Sequence, residues 1–326
     1  MKRNLLCQMA AAVIGVCSAF SFGTAQAQPY PAKPIRLVVP WPAGGITDSA
    51  TRMLAQALSP RLGQPIVVDN RPGANGQIGA DNVAKSAPDG YSLFVASAEP
   101  LAINPHVYKS LPYDPVHDFV GIAPFAINPF SLVSRPDFPA STVKEIVAAA
   151  KQSPGKYTYA SWGIGSTSQI GMEMVKKQAS MDVLHVPFTG EAPAVTALMS
   201  GQVDLMVLPA GSAARQAGKV KVFAVTVPER FFILPNTPSL KEEGYANVNV
   251  FNWFGVVAPA KTPAPIVQRL AQEIGAVATS DDLRSKYRGM GLDVHPPMSQ
   301  PDFNKFIASE VVRWGEVIKS ANIRLD

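Results

Sequence analysis

The sequence has no cysteine after Cys17, and its two thiols, Cys7 and Cys17, both fall in the N-terminal segment. A chain matured past that segment has no disulfide, no thiol nucleophile and no cysteine-ligated metal, so its stability rests on packing. Charge is sparse too. Only 16% of residues are Asp, Glu, Lys or Arg, and no basic run interleaved with aromatics occurs, which argues against a nucleic-acid partner. Histidine is scarce: His106, His117, His185 and His295 have neither i, i+4 spacing nor a cysteine companion, so no metal site is expected. His185, in an apolar stretch, reads as a hydrogen-bonded core residue. No lysine follows a glycine loop as in a Walker A sequence, and no GxGxxG fingerprint is present. A GxSxG elbow is missing as well, because the order GIGST displaces Ser166 from the centre. Carboxylates such as Glu191 and Asp204 lie far apart in the chain. No cofactor and no catalytic residue is expected; the enzyme rival is a hydrolase using Ser166.

The apolar run near the N-terminus is short, about 14 residues where a bilayer needs about 20. Lys2 and Arg3 precede it and Ala25-Gln26-Ala27 follows, the small-x-small pattern of a cleavage site. The reading is a signal peptide over residues 1–27, a mature chain starting at Gln28 and a periplasmic location; a membrane anchor is the alternative. Ile14-Gly15-Val16-Cys17 makes a poor lipoprotein site, since valine stands before the cysteine. Loss of the leader lowers the basic count from 29 to 27 against 24 acidic residues, a net of +3. That surplus suits an anionic ligand without requiring one.

What the sequence does contain is an alternation of short β-rich runs with helical patterns, the mark of parallel α/β units. IRLVV (35–39), IVV (66–68), SLFVA (92–96), YTYA (157–160), VLHVPF (183–188) and VDLMVL (203–208) read as strands. Ala50, Met53, Leu54, Ala57 and Leu58 form a helical stripe closed by Gly63. Thr142 and Glu145 form a capping box, Thr262-Pro263 opens another amphipathic helix, and Pro301 to Ser320 reads as the last. The stretch FAINPFSLVSRPDF (125–138) lies between two such series, with KVFAVTV (221–227) as its expected return. The expected architecture is two α/β lobes joined by two crossing strands, with a cleft between them: residues 28–126 with 226–326 as one lobe, and 127–225 as the other.

Two glycine loops stand at the mouths of helices. Glycine lets the main chain approach a ligand with bare N–H groups, and the first helical turn adds unpaired donors and a partial positive charge. WPAGGITD could thus hold the acid group of a small molecule without an arginine; alternatively Gly44 and Gly45 merely turn the chain and Thr47 or Asp48 caps the helix. Gly163 to Gln169 offers the same chemistry with three hydroxyls and an amide, or is a glycine-eased turn.

Taken in order, YPAKPIRLVVPWPAGGITD, VVDNRPGANGQIGADNVAKSAPDGYSLFVAS, KYTYASWGIGSTSQ, LHVPFTGEAPAVTALMSGQVDLM, NTPSLKEEG and WFGVVAPAKTPAPIVQRL resemble the Bug family, extracytoplasmic solute receptors of tripartite tricarboxylate transporter systems. The resemblance runs from about Tyr30 to the C-terminus. It implies a periplasmic binding protein (type II-like), a monomer that captures a di- or tricarboxylate, an amino acid or an aromatic acid and delivers it to membrane permease subunits; a ligand sensor docking to a signalling protein is the alternative. It also implies that Pro42, Ala43, Gly44, Gly45, Thr47 and Asp48 grip one end of the ligand, while Gly165, Ser166, Thr167 and Ser168 approach from the facing lobe. Asn75, Gly76 and Ser97 lie on loops that could line the same cleft, and Trp41 is either a pocket wall or packing. Two departures stand out: Gln169, where many relatives carry histidine, and Glu191, in a segment where small residues are usual. Glu191 either faces the cleft, where it would favour a solute with an ammonium or hydroxyl, or stabilises the first turn of the next helix.

Overall fold

The computed structural model describes residues 30–325; the expected leader, with Cys7 and Cys17, lies outside the described residues. The first half is built from β1 (Ile35–Val39), α1 (Ile46–Leu62), β2 (Ile66–Asn70), α2 (Gln77–Ala84) and β3 (Ser92–Ala96). After β3 a wide helical turn, Glu99–Ile103, runs into α3 (Asn104–Val107). β1 lies parallel between β2 and β3, with Leu37 beside both Val68 and Leu93. Its near-continuous apolar run fits a strand covered on both faces.

β4 (Phe119–Ser134) is the spine of the molecule. Beyond it come α4 (Val143–Gln152), β5 (Thr158–Ser161), α5 (Thr167–Ala179), β6 (Leu184–Pro187), α6 (Glu191–Met199), β7 (Leu205–Pro209), α7 (Ala210–Arg215) and β8 (Lys221–Val225). The chain then returns through β9 (Phe251–Pro259), α8 (Ala264–Ala278), α9 (Asp281–Gly289), β10 (Asp293–Val294) and α10 (Gln300–Ala321). The ten-stranded sheet runs β2-β1-β3-β9-β4-β7-β5-β6, with β8 and β10 also on β4.

The expected return strand, β8, does pair antiparallel with β4, and β9 is a second, longer partner. β8 follows β4 only over Ser131–Ser134. The strand that runs antiparallel along the first part of β4, from Phe119 to Pro129, is β9. β9 is buried along nearly its whole length, and a continuous apolar run gives no period by which to tell strand from helix. β4 thus changes partners near Phe130, from β9 to β7 and β8.

α10 packs Phe303, Ile307, Trp314 and Ile318 into the core, each side chain worth about 1.5–3 kcal/mol of burial. Its close approach to β9 depends on one glycine: a Cβ at Gly255 would stand 2.3 Å from Phe303 Cζ. Between Trp253 of β9 and Trp314 of α10 sits Glu310, whose carboxylate accepts both indole N–H groups.

Candidate functional site

The loop from β1 to α1 carries Pro40, a half-buried Trp41, Pro42, the exposed Ala43, and Gly44 at φ 83. Gly45 is the N-cap of α1 with extended backbone, and no side chain caps the helix. Neither Thr47 nor Asp48 fills that role. Asp48 is buried: its Oδ2 accepts the Gly44 N–H at 2.9 Å and Arg52 Nε at 3.0 Å, and its Oδ1 accepts Asn70 Nδ2 at 2.9 Å. The same Asn70 amide donates to Trp41 O at 3.0 Å, so one carboxylate ties the loop, α1 and β2 together. Burial acts on Asp48 most strongly and upward, but Arg52, the Gly44 N–H and Asn70 together outweigh it and hold the carboxyl below its ordinary range. The first-turn donors of α1 are left open by a loop held rigid from behind.

The second glycine loop is closed by its own side chains. Ser166 is the N-cap of α5, accepting from Gln169 N while donating to Gly163 O at 2.6 Å. The Gly165 N–H donates to Gln169 Oε1 at 2.8 Å, and Ser168 Oγ donates to Val207 O at 2.6 Å. Thr167 Oγ1 donates to Glu99, to which the buried Ser97 also donates at 3.3 Å. Gly76 is buried against Pro40 and Pro100. A hydrolytic Ser166 finds no base here, because the nearby His185 binds Ser161 and Gln169.

His185 is hydrogen-bonded, as its apolar setting suggested, but it is half-buried on the edge strand β6 and not in the core. The Gln169 amide donates to Nδ1 at 3.2 Å, leaving Nε2–H for Ser161 Oγ at 2.7 Å, and the ring stacks on Tyr159 at 4.8 Å. A proton on Nδ1 would face that amide N–H, so the pattern fits neutral imidazole. Burial holds the pKa below its ordinary 6.5, with Glu173 pulling it up and Lys176 down by less. The unfolded chain therefore takes up a proton near pH 6.5 that the folded chain refuses, and stability falls as pH drops below that value. Asp48, held low, acts in the same direction but in a more acid window, losing stability only below its ordinary 3.8. Urea midpoints measured at about pH 7.5 and about pH 5.5 should fall with acid, and His185→Asn should flatten part of the slope, the rest belonging to buried His295. An unchanged slope in the variant would remove His185 from the account.

A second uncapped helix start faces the first. α6 begins after Gly190, at φ 123 and with no side-chain cap, and Glu191 is its first residue. Gly45, Ile46, Glu191 and Ala192 all line two adjoining chambers, which also share Asn128 and Pro209. The larger, about 620 Å³, is walled by Trp41, Pro42, Phe130, Trp162 and Phe254, and reaches Thr47, Asn75, Glu99 and Asn252. The smaller, about 470 Å³, adds Gly44, Ser212, Arg215 and Met290. Volumes of this size suit a small organic molecule. Glu191 Oε1 accepts Ser212 Oγ at 2.5 Å, so this residue both opens the helix and borders the cavity.

Of the residues singled out in the sequence, Trp41, Pro42, Gly44, Gly45, Thr47, Asn75 and Glu191 border these chambers. Ala43, Asp48, Gly76, Ser97 and Gly165 to Gln169 do not. Asn75 links the two loop regions through a 3.4 Å bond to Ile164 O. Sequence reasoning missed Glu99, Phe130, Trp162, Asn252 and Phe254. Only Trp162 carried a signal, standing directly before the Gly163 loop.

Residues 50–323 match the family described as tripartite tricarboxylate transporter family receptor. Protein BugT of Bordetella pertussis is 33% identical over 320 residues, covering 96% of this chain and 98% of that protein. Among solved structures, Rpa4515 of R. palustris with adipate is 33% identical at a TM-score of 0.82, covering 91% of this chain and all of that one. MatC from Rhodopseudomonas palustris with bound malate is 30% identical at a TM-score of 0.78, covering 89% of this chain and 100% of that chain.

Proposed function

Because the chain belongs to the family of tripartite tricarboxylate transporter receptors, whose members bind solutes and are not enzymes, we propose that it captures a small carboxylate-bearing solute in the double chamber and delivers it to a transporter of that type. The observation that carries the reading is the meeting of two glycine-capped, otherwise uncapped helix starts, Gly45–Thr47 and Gly190–Ala192, at one cavity. Each offers backbone donors and the positive end of a helix, and a carboxylate between them needs no arginine. Adipate and malate, bound in two relatives, are solutes of that kind.

In this reading residues 28–126 with 226–326 form one lobe and 127–225 the other, hinged where β4 exchanges β9 for β7 and β8. Closure over the solute would be the state that the membrane partner reads. The protein is exported through cleavage of residues 1–27 and works as a periplasmic monomer. Among the described residues no helix is long and apolar enough to cross a membrane.

A thermal-shift panel of mono-, di- and tricarboxylates, amino acids and aromatic acids tests the reading. A ligand at a hundredfold its dissociation constant should stabilise the fold by about 2.7 kcal/mol, a readable rise in Tm. A flat response to every acid would reject it.

A further inference from the structure

The larger chamber has a chemistry that a plain dicarboxylate does not explain. Four aromatic rings line it, those of Trp41, Phe130, Trp162 and Phe254, with Trp162 stacked on Phe130 at 5.8 Å. Its charged lining residues are both acids, Glu99 and Glu191, and among the described residues no Lys, Arg or His borders it. Glu191 has its charge answered through Ser212, which also accepts Arg215 Nη2 at 2.8 Å. Glu99 has no such relief. It is 2% exposed and accepts only neutral donors: Thr167 Oγ1, Asn252 Nδ2 at 2.9 Å and Ser97 Oγ at 3.3 Å. A buried carboxylate without a cation is unfavourable. Three donors also leave about one of its four lone-pair sites open.

We infer that the solute carries an organic ammonium group as well as its carboxylate, the ammonium seated among the aromatic rings against Glu99. The inference rests on the receptor reading and narrows its ligand class to zwitterionic acids. Aromatic faces attract a cation most strongly where water is excluded, and Glu99 supplies the opposite charge. The carboxylate end meets the helix starts at Gly45 and Gly190. A dianion of the same length would set its second carboxylate beside Glu99, where like charges repel.

Calorimetric titration of the purified protein with matched acids tests this: hexanoate, adipate and 6-aminohexanoate share a chain length and differ only at the far end, and 4-(trimethylammonio)butanoate separates a quaternary from a primary ammonium. The ammonium acids should bind about tenfold tighter than hexanoate or adipate. Glu99→Gln, which keeps the size and one acceptor oxygen while removing the charge, should bring that preference close to parity, and Trp162→Leu should reduce it. Adipate or hexanoate binding as well as 6-aminohexanoate to the wild type, or a preference untouched by Glu99→Gln, would overturn the ammonium assignment while leaving the receptor reading standing. Binding of no acid at all would overturn both.

Discussion

Replacing Glu310 by alanine should cost the fold about 3–5 kcal/mol, the largest loss expected from any single polar substitution in this chain. The side chain is 4% exposed and serves four donors at once. Trp253 Nε1 and Trp314 Nε1 reach Oε2 at 3.1 and 3.0 Å, while Arg313 reaches the two oxygens with Nε at 2.6 Å and Nη2 at 2.8 Å. Both indoles are fully buried, so in the variant their N–H groups find no water and each forfeits about 1–3 kcal/mol. Arg313 is partly exposed and can rehydrate, which makes its share smaller. Glu310→Gln retains one acceptor oxygen and should lose less than half as much. Urea unfolding checks the pair: a drop in midpoint at constant m-value assigns the loss to stability. A loss below about 1 kcal/mol for alanine would mean that water or a neighbour replaces the carboxylate.

How much of this was legible beforehand depends on where the information sits. β1 and β3 stand at the residues their apolar runs mark, 35–39 and 92–96, because proline and glycine punctuate both. The capping box at Thr142 is present in a shifted form: Thr142 Oγ1 accepts Glu145 N at 3.2 Å, whereas Glu145 Oε2 turns to Ser141 N at 2.6 Å. The open start of α1 was readable too, since Gly44-Gly45 offers no capping side chain. Local sequence carries such features.

What it could not carry is which second helix start stays open. GIGSTSQ and FTGEAP both place glycine before a helix, and the difference lies in bonds that only the folded chain makes. Ser166 and Gln169 satisfy their own loop, whereas no side chain returns to Gly190. The aromatic chamber was hidden for the same reason. Phe130, Trp162 and Phe254 come from three distant segments, and Glu99 joins them only because Asn252 of β9 and Thr167 of α5 converge on it.

That contrast between the two loops gives the second large effect. Gly45→Val should weaken solute binding on the order of 100-fold or more, while Ser166→Ala should leave affinity within about twofold. Gly45 has φ −72, which valine adopts freely, and a Cβ there meets only Pro42 O at 3.4 Å. The branched side chain would therefore fit the backbone and project at the helix start, where both chambers meet and where the solute's oxygens need room. Stability should fall by no more than about 1 kcal/mol, the ordinary cost of a poorer N-cap residue. Ser166→Ala acts the other way. It removes the cap of α5 and a bond to Gly163 O, so it should lower stability by about 1 kcal/mol and spare the cavity. Measuring affinity and unfolding free energy on both variants separates the two loops. If Ser166→Ala proved to be the binding variant and Gly45→Val merely a less stable one, the solute would sit at the Gly163 loop, and the donors of α5, now tied up by Ser166 and Gln169, would have to open to receive it.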